Sequence, residues 1–466
     1  MISFMHGRIA RVFLVGTLTL TVFACGKRKN DGDVDGGGQV DAESCTELGC
    51  FIVDCASKGL PSTTISGTVY APNGTLPLYG VNVYIPASDP GPLPEGAVCD
   101  RCANGLPGGS WVSTTTDEAG RFQLIDVPAT DNVPLVIQSG KWRKQLVLST
   151  VAACQDVALS TAETSLPKNR SEGDMPRIAI TTGNADALDC LPRKLGIDDS
   201  EITTDGGGGH VQLFSGNGAN KFAATHPTGA IDMAAATTLW SDVNKLKEYD
   251  IVILSCEGGQ NASTKPQTTL DAMKAYADLG GRVFASHWHN IWISGHWQGT
   301  GSGQKPAVWG GQTIAAGGVA DWSNQGTLGS PDLIDELGHS KGVSFATWME
   351  NVGGSPVRRG EIPTTEGKLT ATALDLTKAE RWVYFDQTAQ RPQIFQFTTP
   401  LEAPKTDRCG KVVFSDMHVS SGSSSSSSRP YPGMQGAGCS TNPLTPQEKA
   451  LAFIFFDLAS CVGVIQ

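Results

Sequence analysis

Eight histidines stand among the 466 residues, and three of them, His287, His289 and His418, fall at or just beyond apolar, β-branched runs. Val283-Phe284-Ala285 precedes the first pair and Lys411-Val412-Val413-Phe414 precedes the third; a similar run, YDIVILSCEGG (249–259), carries Cys256 and Glu257, and Asp416 lies two residues before His418. Imidazoles together with a carboxylate are the ligand set of zinc or another divalent transition metal, and an imidazole also serves as a general base at neutral pH. His287 and His418 are therefore the catalytic candidates, with His289, Glu257 and Asp416 as ligand or metal candidates. His287 and His289 share a face only if the chain stays extended past Ala285, because side chains alternate along a strand. The same imidazoles can equally be read as polar residues packed among tryptophans. Cys256 is a rival nucleophile that would need a base within reach. In an exported chain, a bridge to Cys190 or another half-cystine is its simpler fate.

The elements that would position these groups follow from periodicity. RIAITTG (177–183) is a β-branched run ending in a Gly turn, YDIVILSCEGGQ (249–260) reads as a buried strand ending in a Cys-Glu-Gly-Gly loop, and Val283-Phe284-Ala285 reads as another buried strand; RWVYFD (381–386), QIFQFTTP (393–400) and KVVFSDMHVS (411–420) also read as strands. TTLDAMKAYADLGG (268–281) is a helix with Leu270, Met273 and Ala277 on one face, stopping at Gly280–Gly281. PQEKALAFIFFDLASCV (446–462) is the closing helix. Strand–helix–strand in this rhythm predicts an α/β, doubly wound parallel sheet, flavodoxin-like, over 177–466. Ligands in such sheets sit beyond the carboxyl ends of the strands, where these histidines fall. Gly206–Gly209 lacks the dinucleotide and P-loop patterns, so no nucleotide site is read there. Trp309, Trp322, Trp348 and Trp382 crowd residues 298–400 and could stack on sugar rings, which makes carbohydrate, or another small molecule, a ligand candidate.

The N-terminus sets the compartment. Arg8 and Arg11 precede the apolar run VFLVGTLTLTVFA, a signal-peptide core too short to span a bilayer. Val22-Phe23-Ala24-Cys25 resembles a bacterial lipobox, so 1–24 is expected to be removed and Cys25 lipidated. That would leave the protein exported and membrane-anchored, at the outer membrane or cell envelope. Residues 25–62 hold the lipidated cysteine, a Gly/Asp-rich tether and a Cys-rich segment. Without Arg8 and Arg11 the formal charge of −11 becomes −13, which lacks the basic footprint of nucleic-acid binding. Eleven further cysteines are disulfide candidates in an oxidising compartment: Cys45, Cys50, Cys55, Cys99, Cys102, Cys154, Cys190, Cys256, Cys409, Cys439 and Cys461. The first six most simply form three bridges of unreadable connectivity, and the last three staple the C-terminal loop and helix. Short alternating strands at Ile65/Gly67/Val69, Val81/Val83/Ile85 and Phe122/Leu124 predict a small all-β sandwich over 63–160, and the polar stretch 161–176 reads as a linker.

Two family resemblances rest on these residues. Ile65-Ser66-Gly67-Thr68-Val69, Gly80-Val81 and Thr116-Asp117 with Gly120 and Phe122 resemble the carboxypeptidase regulatory-like (transthyretin-like) module, interrupted by an insert at 86–112. This implies a non-catalytic accessory sandwich. YDIVILSCEGG, GGRVFASHWH and GKVVFSDMH resemble the class I glutamine amidotransferase-like fold, and within it the ThuA-like branch. At the elbow the family's Gly-x-Cys-x-Gly positions fall on Ala285, His287 and His289, so the nucleophile position is a histidine. Ser420 occupies the place of the acid that usually follows His418. Both departures speak against a glutaminase. Two functions stay open. The first is a lipoprotein whose ThuA-like domain binds a ligand such as a carbohydrate without turning it over; the other is a metal- or histidine-dependent hydrolase or isomerase of a sugar-like substrate.

Overall fold

Alternation decides how the strands are used. All four residues of Ile251–Leu254 are buried, yet Ile251 and Ile253 join one apolar cluster while Val252 and Leu254 join another. Successive side chains point to opposite sides, so this strand is covered on both faces, as a crossover-connected sheet requires. The computed structural model describes residues 47–296, 307–328, 330–386, 390–419, 430–433, 439 and 442–464. The signal-peptide segment, the tether to residue 46, Cys25, Cys45 and the serine run 423–428 lie outside the described residues. No described helix is long and apolar enough to cross a membrane.

Six strands run parallel, in the order Gly410–Ser415, Arg282–Ser286, Ile251–Leu254, Ile178–Thr181, Val211–Phe214 and Ile202–Thr204. Four more, Arg391–Thr399, Ala379–Phe385, Asp332–Ile334 and Glu361–Ile362, continue beyond Gly410–Ser415 in antiparallel fashion. The sheet expected to be parallel throughout is thus a mixed sheet of ten strands. The reason is connection length: 386–390 and 400–409 are too short for a parallel crossover, which takes a dozen residues or more.

Ahead of this sheet stands a β-module of two small sheets. One is built from Arg121–Ile125, Thr64–Thr68 and Asp156–Ala158, the other from Val112–Thr115, Asn82–Ile85, Asp131–Ser139 and Trp142–Thr150. Ile65, Val83, Ile85, Phe122 and Leu124 fill its interior, on the alternation read from the sequence. Residues 161–176 connect the module to the large sheet and are themselves packed. Ser160 and Glu163 form a capping box, and Leu166 and Met175 are buried.

Residues 46–466 form one compact unit, and the helix Pro446–Ala459 shows why. Eleven of its fourteen residues are buried, which needs a partner on every side. The sheet covers one side and the β-module the other. Trp142 meets Phe455 at 5.5 Å and Phe456 at 5.4 Å, and Tyr79 stacks on Phe453. A single apolar cluster runs from Ile65 through Phe456 to Ile253.

Covalent bonds reinforce that junction. The described disulfides are Cys55–Cys154, Cys99–Cys409, Cys102–Cys461 and Cys190–Cys439, and Cys50 is half of a further bridge. Three bridges confined to the first six cysteines are therefore not what forms, since Cys99 and Cys102 reach across to the large sheet and its last helix. Between these two bridges lies Arg282, fully buried, donating to the carbonyls of Gly280 (2.9 Å), Cys409 (2.6 Å), Asp100 (3.3 Å) and Ser460 (3.4 Å). Gly280 permits the approach, because a Cβ there would sit 2.2 Å from the Val98 carbonyl oxygen.

Candidate functional site

The parallel strands deliver four loops to one end of the sheet. Ile251–Leu254 leads to Cys256, Arg282–Ser286 to His287, Gly410–Ser415 to His418, and Ile178–Thr181 to Gly183 and Asp186. Cys256 Sγ lies 3.5 Å from His287 Nδ1, and the His287 and His418 rings are 5.0 Å apart. One donor atom from each of Cys256, His287 and His418 falls within 4.8 Å of the other two, and all three residues are buried.

Each is held by its surroundings. Gly183 lets its loop close onto Cys256, where a Cβ would come within 2.3 Å of the Cys256 carbonyl oxygen. His287 sits at φ +42°, a left-handed backbone that costs a β-substituted residue about 1–3 kcal/mol and persists only where the surroundings impose it. The imposing contact is next door: Ser286 Oγ donates to Asp186 at 2.7 Å, and the same carboxylate accepts from Val419 N at 3.0 Å. Asp186 thereby ties the elbow to the loop of His418. That loop is fixed by Gln447, which donates to the His418 carbonyl, and by the strand Gly367–Leu374, whose leading residue Glu366 accepts from His418 N at 2.9 Å.

The two imidazoles have opposite electrostatics. Burial drives the His287 pKa well below the ordinary histidine value, and the charges of His418 and Lys368 push the same way. Burial would also lower His418, but the Cys256 sulfur and the Glu366 and Asp186 carboxylates outweigh it and raise it to about 10. Glu366 lies 3.7 Å from His418 Nδ1, and neither buried ring nitrogen of His418 completes a hydrogen bond.

His289, Glu257 and Asp416 do not join this group. The turn at His287 breaks the extended chain, so His289 points elsewhere: Nε2 donates to the Ser255 carbonyl at 2.9 Å while Nδ1 accepts from Trp292 Nε1 at 2.9 Å. With both nitrogens used it cannot ligate. Glu257 pairs with the fully buried Lys265 at 2.6 Å, and the Lys265 ammonium rests over the Trp240 ring. Asp416 accepts from the backbone N–H groups of Thr370 (2.9 Å) and Ala371 (2.8 Å) and from the Thr370 hydroxyl, which pins the strand Gly367–Leu374. All three are bonded to neighbours outside the Cys256, His287 and His418 group.

Cys256 is the correction in the other direction. It is a free thiol, since Cys190 pairs with Cys439, and it belongs to the site. Arithmetic could have shown that one thiol stays free: once Cys25 is set aside, eleven cysteines are an odd number. Asp186, Glu366 and Lys368 carried no sequence signal, because topology alone brings them here. The tryptophans of 298–400 mostly leave the ligand argument, since Trp309, Trp348 and Trp382 are at most 1% exposed and serve as core. Trp288, half-buried, lies against the His287 ring at 4.7 Å.

No family model matches the chain, and no curated protein does either. Among solved structures, a ThuA-like protein from Bacteroides uniformis aligns over 60% of this chain and 90% of its own, at 12% identity and a TM-score of 0.29. A type II cohesin–X-dockerin complex from Acetivibrio cellulolyticus aligns over 32% of this chain and 88% of its own, at 17% identity and a TM-score of 0.17. Superpositions this loose leave the strand-end geometry to speak for itself.

Proposed function

We propose that this is an exported, lipid-anchored protein whose strand-end site holds a divalent transition metal, zinc in the first instance, and acts on an oxygen-bearing small molecule as a hydrolase or isomerase. The observation that carries the reading is the buried Cys256, His287 and His418 set, all three donor atoms within 4.8 Å of one another. The donors fit. A thiolate and two imidazoles match zinc preferences, and ordinary zinc–sulfur and zinc–nitrogen bonds in a tetrahedral centre put S and N about 3.5 Å apart. Neither buried His418 nitrogen completes a hydrogen bond within the chain, with Glu366 3.7 Å from Nδ1. Three protein donors leave a fourth position for substrate, and a bound metal would polarise a ligand oxygen there. Around it, Glu366 orients the His418 ring, Asp186 holds the elbow, and Trp288 offers an apolar face beside His287. Export and anchoring rest on the N-terminal run and Cys25.

The test is metal analysis of the purified chain, as isolated and after incubation with zinc and dialysis. About one equivalent is expected in the wild type, and less than a tenth of that in Cys256→Ser and His418→Ala, both folded by circular dichroism. A wild type that keeps no metal after reconstitution, or variants that keep as much as the wild type, would overturn the reading.

A further inference from the structure

The exposed aromatic surface of the described residues is concentrated at one end of the β-module. Isolated exposed aliphatic side chains are ordinary, and this chain has them in several places, such as Ile231 and Leu376. Phe51 and Trp111 are different. Each is 38% exposed, and among the described residues no other phenylalanine or tryptophan is exposed to this degree.

Backbone contacts bring their carriers together. A Cβ at Gly49 would lie 2.7 Å from the Trp111 ring, so the turn Leu48–Phe51 rests on that indole. The Phe51 carbonyl accepts from Ala129 N at 2.9 Å, Val127 N reaches the Thr63 carbonyl at 3.1 Å, and Thr64 pairs with Ile125. Ile52, Leu60 and Ile125, all exposed, therefore extend the apolar surface around the two rings. The charged side chains of the same segments are Glu47, Asp54, Asp126 and Asp131 against Lys58. Such a rim is net negative and lacks the basic cluster that would hold a nucleic acid or an anionic surface.

The chain ahead of the patch says what covers it. Cys25 and Glu47 are separated by 21 residues, which cannot stretch beyond about 80 Å. A lipid on Cys25 would keep the bilayer within that reach, and a tether of such length raises the effective concentration of the two surfaces toward the millimolar range. Glu47 is also only four residues ahead of Phe51, so the anchored segment enters the fold beside the patch.

We propose that this end of the β-module docks on the bilayer that carries the anchor, with Phe51 and Trp111 at the boundary between headgroups and acyl chains. The proposal rests on the lipidation of Cys25. Aromatic rings favour that boundary, and an indole there keeps its body in lipid and its N–H among polar groups. A handful of half-exposed side chains is too small a surface to retain the chain without the lipid, so docking depends on the anchor. The attachment is apolar and does not weaken with salt.

The test reconstitutes the full lipidated chain into phosphatidylcholine vesicles with and without brominated acyl chains, which quench tryptophan emission on contact. Flotation of the vesicles reports anchoring separately. The wild type should be quenched severalfold more than Trp111→Phe, which retains every other tryptophan, and equally so at high salt. Phe51→Ser combined with Ile52→Ser keeps Trp111 and should abolish most of its quenching without lowering the unfolding temperature, since both replaced side chains are exposed. A floated wild type no more quenched than Trp111→Phe, whether Trp111 then faces water or a second copy of the chain, would overturn the docking and leave the anchoring standing. Quenching lost at high salt would overturn the apolar attachment. A wild type that does not float would overturn anchoring and docking together.

Discussion

Trp142→Ala tests whether the β-module and the large sheet form one folding unit. Trp142 belongs to the module but is fully buried against Phe455 and Phe456 of the last helix. Truncating a buried tryptophan costs about 3–5 kcal/mol through lost transfer free energy and the cavity left behind. Where that loss appears depends on cooperativity. Unfolding entropy is about 2.1 cal/mol/K per residue, so a single unit of about 420 residues changes by about 0.9 kcal/mol/K at its midpoint. A loss of about 4 kcal/mol then lowers one shared transition by only about 4–5 °C. An independent module of about 100 residues has roughly a quarter of that entropy, and its own midpoint would fall by about 19 °C while the rest stayed put. Differential scanning calorimetry of the oxidised chain separates the two. The continuous core predicts a single endotherm that moves a few degrees as a whole. An early transition splitting off by more than about 10 °C would refute it.

Glu257→Gln leaves the Lys265 ammonium buried without its carboxylate, and should cost about 3–5 kcal/mol in denaturant melts while leaving metal content intact, since Glu257 stands outside the donor set. Burial and the neighbouring cations Lys341 and Arg282 hold Lys411 down to about 7, against the pull of Asp457. The unfolded chain therefore binds one more proton between pH 7 and about 10.5. Relative to Lys411→Met, wild-type stability should rise with pH across that window by at most about 1.4 kcal/mol per pH unit; a flat difference would show that Lys411 stays charged. Cys25→Ser should move the protein from the detergent phase to the aqueous phase or block signal removal. A cleaved Cys25→Ser protein that still partitions with membranes would exclude lipid anchoring there.

How much of this was legible in the sequence depends on the length over which a signal acts. Buried strands such as Ile251–Leu254 and Arg282–Ser286 announce themselves through consecutive β-branched and apolar residues, and their carboxyl ends located His287 and His418 together. The four antiparallel strands were less visible, because hairpin and crossover differ only in the length of a poorly patterned connection. His289 parts from His287 for a conformational reason: two-residue spacing implies a shared face only in extended chain, and the positive φ at His287 ends it. Glu257 and Asp416 are carboxylates near the site in sequence whose obligations lie elsewhere, to Lys265 and to the Thr370 backbone. Neither partner could be inferred, since each is fixed by tertiary packing. The packed junction did leave a trace. AFIFF (452–456) puts large apolar groups all round the last helix, more than one sheet can cover.

The bridges at Cys99 and Cys102 also bear on the order in which the molecule can be assembled. Their partners lie 310 and 359 residues further along the chain. None of the four described pairs joins cysteines that are neighbours in the sequence of cysteines. A chain oxidised as it emerges meets the nearest thiol first, because closing a short loop costs less entropy than closing a long one. Cys99 would therefore pair early with Cys102, and both would have to be released again once the last helix arrives. Exchange of this kind proceeds by thiolate attack on an existing disulfide and takes minutes to hours without a catalyst. Folding yield should accordingly depend on a disulfide-shuffling activity more than on oxidising strength alone.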